Sequence, residues 1–124
     1  MTLAAWRKKF YPKEARSTTK KEAVLHSLVK WIGLREDNLE KFAIRYDDYY
    51  LVDDTRKFFA VGSSTCALCY HYDDDCLKCP LAIARNGFAC NSRADDESDS
   101  PWSVWCTTSN PEPMIRALEN ALTV

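Results

Sequence analysis

Two closely spaced cysteine pairs are the part of this sequence whose residue types and spacing point most clearly to chemistry. Both pairs have the form C-x2-C, and six residues separate them. A C-x2-C turn brings two sulfur atoms to one point, so two such turns supply the four thiolates of a tetrahedral metal site. The sequence therefore predicts a structural Zn²⁺ site. Its predicted ligands are Cys66, Cys69, Cys76 and Cys79.

Three further residues near the pairs are alternative ligands. Cys90 could replace Cys76 as the fourth ligand, and His71 and Cys106 are weaker substitutes. Cys106 is instead expected to be a small buried residue, because free cysteine packs well among apolar side chains. Which four of the six cysteines bind the metal therefore stays open at this point.

The residues that follow each pair indicate helices. Many zinc knuckles place Gly after the pair, but here Tyr70 follows the first pair and Pro80 follows the second. Proline is favoured at the first position of a helix. Each pair is therefore predicted to lie at the start of a helix, the second of which covers about 80–86 and ends at Gly87.

Two other kinds of cysteine chemistry remain as alternatives. Cys79-Pro80 is similar to the end of the cysteine motif of a ferredoxin, which makes an iron–sulfur cluster an alternative cofactor. It is less favoured than zinc because the full ferredoxin spacing is absent. A redox pair at Cys66 and Cys69 would make the chain a thiol enzyme, but the second pair favours a metal. A closed site of four thiolates has no open position for water or substrate. We therefore expect a non-enzymatic protein in which the metal stabilises the fold.

Length and composition limit the class of protein. The chain has 124 residues, 46% of them hydrophobic and 28% charged, as expected of one folded domain over residues 1–124. No apolar run approaches the roughly 20 residues of a membrane span. The sequence becomes charged at Arg7, too early for a secretory signal. A cytoplasmic location is expected, where six cysteines are more naturally metal ligands than disulfides.

Charge is distributed unevenly along a chain whose formal net charge is −1. Residues 1–21 contain seven basic residues and one acid. A nucleic-acid interface in this segment is therefore the alternative function, with aromatic rings stacking on bases. Because the whole chain is near neutral, we favour aromatic residues that pack in the core while the charges face water. The lysines in question are Lys8, Lys9, Lys20 and Lys21, and the aromatic residues are Trp6, Phe10 and Tyr11.

The first third of the chain, about residues 3–42, is predicted to be helical. A helix over 3–11 places Trp6 and Phe10 one turn apart. A second, short helix is expected at 36–42. His26, in the helix between them, has no nucleophile motif beside it and is interpreted as a structural histidine.

The strongest helix signal covers about 19–32. Thr19-Lys-Lys-Glu22 is a capping box, in which the hydroxyl and the carboxylate satisfy each other's free amides. Gly33 is predicted to end this helix in the left-handed conformation that favours glycine. The predicted apolar face consists of Leu25, Leu28 and Ile32, with Val24 and Trp31 beside them.

Residues 43–62 change to a strand-rich composition. Runs rich in tyrosine, phenylalanine and valine alternate with Asp47-Asp48 and Asp53-Asp54. This pattern predicts two or three short antiparallel strands with turns at the aspartate pairs. The last strand leads into the first cysteine pair.

The remaining chain contains the cysteine-rich region over 66–106 and a final helix. Residues 91–101 are predicted to form a loop, and Trp102-Ser-Val-Trp105 a last short strand. Asn110 is predicted to cap a helix over about 111–122. Its expected buried face is Met114, Ile115, Leu118 and Leu122. The predicted fold is α+β: a small antiparallel sheet between N- and C-terminal helices, with a loop region held by zinc.

Several stretches along the chain carry a resemblance to known proteins. They are Phe10-Tyr-Pro12, His26-Ser-Leu-Val-Lys-Trp31 with Gly33-Leu34, the cysteine segment from Cys66 to Pro80-Leu81, Gly87 with Cys90, and Glu112-Pro-Met-Ile with Ala117-Leu118. Together they resemble a group of small phage and prophage proteins that carry a C-x-L-C … C-x-x-C-P-L core. The resemblance implies a metal site and a viral or prophage origin, and it carries over no catalytic residue. By analogy, we expect such a protein to act by binding another protein of the host cytoplasm.

Overall fold

The computed structural model describes residues 2–73, 75–91 and 99–123. In these ranges, helices flank a three-stranded antiparallel sheet at both ends, which confirms the predicted α+β class. The elements are α1 (Leu3–Phe10), α2 (Ala23–Ile32), α3 (Glu36–Lys41), β1 (Arg45–Asp47), β2 (Tyr50–Val52), β3 (Phe58–Ala60), α4 (Ala67–His71), α5 (Pro80–Ala84), α6 (Pro101–Thr108) and α7 (Glu112–Ala121).

Helix α1 docks on the core through its aromatic side chains. Trp6 is fully buried, and Phe10 lies beside it with ring centroids 5.9 Å apart. The Trp6 indole Nε1 donates a hydrogen bond to the Gly33 carbonyl at 2.8 Å, which joins α1 to the end of α2. The predicted one-turn spacing of the two rings is confirmed.

Helix α2 begins later than predicted, although the capping box forms. The Thr19 amide donates to the Glu22 carboxylate at 2.9 Å, and the Glu22 amide donates to the Thr19 hydroxyl at 3.2 Å. Residues 20–22 form a turn, and the α-helix starts at Ala23. The predicted apolar face is partly wrong, because Leu25 is 54% exposed. The buried face is instead rotated toward Val24, Ser27, Leu28, Lys30 and Trp31.

Gly33 ends α2 for a reason other than the predicted one. Its φ of −62° and ψ of −18° are right-handed helical values, not left-handed ones. A Cβ atom at this position would lie 2.5 Å from Cγ of Phe10. Glycine is therefore required by the close packing of α1 and not by the backbone conformation.

The sheet has the order β1-β2-β3, with both pairs antiparallel. The turns fall at the two predicted aspartate pairs, and Asp48 has a positive φ of 46°. Side chains alternate between the two faces, as expected of a half-buried sheet. Leu51 and its cross-strand partner Phe59 face the core, whereas Tyr50 and Phe58 are exposed.

The segment predicted as a last strand is a helix. Trp102 and Trp105 both belong to α6. The Ser100 hydroxyl caps this helix by accepting a hydrogen bond from the Ser103 amide at 3.1 Å, and Pro101 takes the first helical position. Residues 92–98 of the predicted 91–101 loop lie outside the described residues.

The C-terminal helix α7 forms where it was predicted, but its N-cap residue is Pro111 and not Asn110. The Asn110 side chain accepts a hydrogen bond from the Glu112 amide at 3.1 Å. Met114, Ile115 and Leu118 are buried as expected, but Leu122 is 49% exposed and does not belong to the buried face. Ala121 takes its place.

The helices of the two ends meet around the cysteine-rich region. Helix α7 packs on α2, α5 and α6, and α2 also packs on α4. The two cysteine pairs therefore lie beside a framework built from both ends of the chain. In the part of the chain that the structure describes, no helix is long and apolar enough to cross a membrane.

Candidate metal centre

Five of the six cysteines line one cavity of about 420 Å³. Helices α2, α4, α5 and α7 contribute to its wall, and apolar side chains such as Trp31 and Leu118 form much of its lining. All four predicted ligands and the alternative fourth ligand line it: Cys66, Cys69, Cys76, Cys79 and Cys90. These five residues therefore line the same cavity, and their role as metal ligands stays a prediction.

Each cysteine pair lies at the start of a helix, as predicted. Cys66 is the N-cap of α4 and Cys79 is the N-cap of α5, both in extended backbone conformation. The Cys66 carbonyl accepts from the Tyr70 amide and the Cys79 carbonyl accepts from the Ile83 amide, each at 3.1 Å. Pro80 follows at the first helical position. The start of α4 thus places Cys66 and Cys69 in the cavity wall, and the start of α5 places Cys79 there.

The weaker candidate ligands lie elsewhere. The His71 ring Nε2 is 2.9 Å from the Thr18 hydroxyl. Cys106 lies on α6, half-buried against the core, where burial raises the pKa of its thiol. Among the residues that the structure describes, no group of three or more His, Cys, Asp or Glu side chains is arranged as it stands to hold a metal ion. Five cysteines line the cavity without forming such a group among the described residues.

Lys30 is a functional candidate that the sequence reasoning missed. This α2 residue is only 1% exposed and lines the cavity together with the cysteines. Its Nζ donates to the Val61 carbonyl at 3.0 Å, to the Thr65 hydroxyl at 3.2 Å and to the Thr65 carbonyl at 3.4 Å. Burial lowers the pKa of the Lys30 ammonium, and the negative charge of Cys66, Cys69 and Cys90 as thiolates acts in the opposite direction.

The surroundings of the Cys66 sulfur favour the thiolate. A hydrogen bond from the Cys69 thiol holds the pKa of Cys66 well below its ordinary value, and the Lys30 charge acts in the same direction against the effect of burial. The Ser27 hydroxyl lies 3.8 Å from the Cys66 sulfur. Thiolates are the form in which cysteine binds metal.

The sulfurs of Cys79 and Cys90 have the opposite tendency. Burial raises the pKa of Cys79, and it raises the pKa of Cys90 to about 12. Nearby thiolates add to this effect, because like charges disfavour a second ionisation. A divalent cation reverses this balance, since a coordinating thiol loses its proton. The donor set therefore fits a soft divalent metal such as Zn²⁺.

The basic N-terminal segment has exposed charges but buried rings. Trp6 is 0% exposed, and Phe10 and Tyr11 are also buried in the core. Their rings are therefore not available to stack on bases. This agrees with the favoured interpretation, in which they pack in the core. All four lysines of the alternative function are exposed: Lys8, Lys9, Lys20 and Lys21.

His26 makes structural contacts. Its Nε2 lies 2.6 Å from the Lys13 carbonyl, and its ring meets Tyr11 edge-on with centroids 4.9 Å apart. These contacts tie α2 to the segment before it. They agree with the interpretation of His26 as a structural residue.

Comparison with protein-family models, with curated proteins and with solved structures gives no match.

Proposed function

We propose that this chain is a non-enzymatic, zinc-stabilised protein that acts by binding another protein. The observation that carries the metal part is the placement of five cysteines around one cavity. The proposed ligands are those predicted from the sequence, with Cys90 as the alternative to Cys76. A viral or prophage origin and a partner in the host cytoplasm belong to the same proposal, and they rest on the sequence resemblance alone.

The proposed role of the metal is to stabilise the fold. When bound, Zn²⁺ would join the starts of α4 and α5 through their cysteine thiolates. Four thiolates complete a tetrahedral sphere, so such a centre offers no position for a substrate or a nucleophilic water. This coordination chemistry supports a structural role over a catalytic one.

An exposed aromatic patch on the sheet supports the protein-binding part of the proposal. Phe58 is 67% exposed, and its ring meets that of Tyr50 across the β2–β3 pair with centroids 5.4 Å apart. Tyr49, also exposed, stacks on Trp102 at 6.3 Å. Aromatic residues of this kind are enriched in protein interfaces.

Metal content tests the first part. The protein as purified, and after reconstitution with zinc, is analysed for zinc and iron by elemental analysis. We expect one zinc per chain in the wild type and none in Cys66→Ser. Cys106→Ser is the matched control and is expected to keep its zinc, because Cys106 lies outside the cavity. Comparing Cys76→Ser with Cys90→Ser identifies the fourth ligand. Full zinc content in a Cys66→Ser/Cys79→Ser double variant would contradict the proposed site. Stoichiometric iron in place of zinc would indicate an iron–sulfur cluster.

Partner capture tests the second part. Tagged protein is incubated with nuclease-treated and untreated bacterial lysate, and bound material is identified by mass spectrometry. We expect a stoichiometric protein partner that resists nuclease, is lost with Phe58→Ser and is kept with Leu25→Ser, a matched change at an exposed hydrophobic residue of α2. Capture that nuclease abolishes, and that neutralising Lys8, Lys9, Lys20 and Lys21 weakens, would instead indicate nucleic acid.

A further inference from the structure

The most unusual charge in the described structure is the Lys30 ammonium. It is 1% exposed, yet its hydrogen-bond acceptors, the Val61 and Thr65 oxygens, are all uncharged. Within the described ranges, no carboxylate forms an ion pair with Lys30. A buried ammonium without an anion is strongly unfavourable, because it loses the hydration of its charge. The position therefore calls for a negative partner.

Among the described residues, cysteine sulfurs and one carboxylate line the cavity that Lys30 shares. The carboxylate, Asp75, pairs with Lys78 at 3.8 Å. Lys30 lines this cavity together with five cysteines, whose sulfurs become anions when they bind a metal. A divalent metal bound by four thiolates carries a net double negative charge, whereas a centre with three thiolates and one neutral ligand carries a single one. One ammonium attracts the doubly charged centre more strongly than the singly charged one, so Lys30 lowers the electrostatic cost of the fourth thiolate.

We propose that Lys30 is the buried counter-ion of the metal–thiolate centre, which strengthens metal binding and favours a centre with four thiolates. This inference rests on the proposed zinc site and goes beyond it, because Lys30 is a positioning residue and not a ligand. It gives a physical reason for a lysine on the buried face of α2.

Lys30 also holds the segment that leads into the first ligand. Its Nζ bonds to Val61 and Thr65, and the Thr65 hydroxyl donates to the Ala60 carbonyl at 2.6 Å. The chain enters Cys66 directly after Thr65. A test of the counter-ion role must therefore separate the charge of Lys30 from this anchoring.

The test measures zinc affinity by competition with a chromophoric chelator, and unfolding by urea with and without zinc. Lys30→Met removes the charge and keeps an unbranched side chain. We expect about 10- to 100-fold weaker zinc binding, the usual effect of losing an outer-shell partner of a metal site. The metal-free variant is expected to be at least as stable as the metal-free wild type, because an uncompensated buried charge is gone.

Two further variants separate charge from anchoring. Thr65→Val removes the hydroxyl that accepts from Nζ but keeps the charge, and its zinc affinity is expected to stay within about threefold of wild type, well short of the usual outer-shell loss. Lys30→Gln keeps a donor for the Val61 and Thr65 oxygens without the charge. It gives the same test as Lys30→Met if the latter does not fold.

The outcomes distinguish this inference from the function on which it rests. If the wild-type chain binds no metal, the proposed function itself fails. If the wild type binds zinc and both neutral Lys30 variants bind it equally well, only the counter-ion role is overturned. It is also overturned if Thr65→Val weakens binding as much as Lys30→Met, or if the neutral variants lose as much stability without zinc as with it.

Discussion

At the scale of single residues, the contact between Gly33 and Phe10 illustrates how packing can require a glycine. Gly33 has helical φ and ψ values, at which alanine would normally be favoured over glycine. The ring of Phe10, however, occupies the space where a Cβ atom would lie. Helix propensity therefore predicts that Gly33→Ala stabilises the protein, whereas packing predicts that it destabilises it.

Gly33→Ala is expected to destabilise the protein by about 1–3 kcal/mol, the usual cost of overpacking a close contact. Gly62→Ala is the matched control, because its added Cβ would meet Trp102 at an ordinary 3.7 Å. Urea unfolding of the two variants measures the difference. An increase in the free energy of unfolding for Gly33→Ala would mean that Phe10 moves aside and that helix propensity dominates.

The site residues differ in how far the sequence could predict them. The sequence singled out Cys66 and Cys79 because C-x2-C spacing has a local geometric consequence, and proline after Cys79 predicted the helix start that the structure shows. Lys30 was not singled out, since a single lysine in an amphipathic helix normally faces water. Only the packing of α2 against α4 and α7 places it inside the cavity. Such a residue has no signal in local spacing.

At the scale of elements, α6 shows where local pattern failed. Trp102-Ser-Val-Trp105 contains residues that favour strands, and the sequence alone predicted one. Ser100-Pro101 before it is a helix start, in which serine caps and proline takes the first position. The three-residue spacing of the tryptophans then allows both rings to contact Trp31, at 6.2 and 5.4 Å. The capping signal was present in the sequence and outweighed strand propensity.

Asp53 joins two elements that are far apart in the chain. Its buried carboxylate accepts hydrogen bonds from the Leu3 amide at 2.7 Å, in the first turn of α1, and from the Thr55 hydroxyl at 2.6 Å, in the β2–β3 turn. The Thr55 hydroxyl is the main reason that the pKa of Asp53 is lowered, and the Leu3 amide adds to it. These bonds favour the ionised form in the folded state.

The lowered pKa of Asp53 predicts a dependence of stability on pH. Because the folded-state pKa lies below the unfolded value of about 4, the contribution is present at neutral pH and is lost as pH falls through the folded-state pKa. Asp53→Asn is therefore expected to be less stable than wild type at pH 7, with a gap that narrows toward pH 3. Urea unfolding across this range measures the gap. Asp54→Asn, at the exposed next position, is the control, and a constant gap for Asp53→Asn would contradict the linkage.

At the scale of the whole molecule, the cysteine cavity lies where both ends of the chain meet. Helix α2 from the N-terminal part and α7 from the C-terminal part contribute to its wall. The first cysteine pair lies at the start of α4, and Cys79 of the second pair is the N-cap of α5. A metal bound there would connect the short cysteine-bearing helices to the larger core. Zinc binding should therefore change the stability of the entire fold and not only that of one loop.

Zinc removal is the corresponding prediction. If the folded chain binds zinc at one site and the unfolded chain does not bind it, the free energy of unfolding rises by about 1.4 kcal/mol for each tenfold increase in free zinc above the Kd. Urea unfolding in zinc buffers of graded concentration measures this slope. Cys106→Ser is expected to give the same slope as wild type, because Cys106 lies on α6 outside the cavity, and Cys66→Ser is expected to give none. A wild-type stability that does not change with zinc would show that the metal does not support the fold, whatever the metal content of the purified protein.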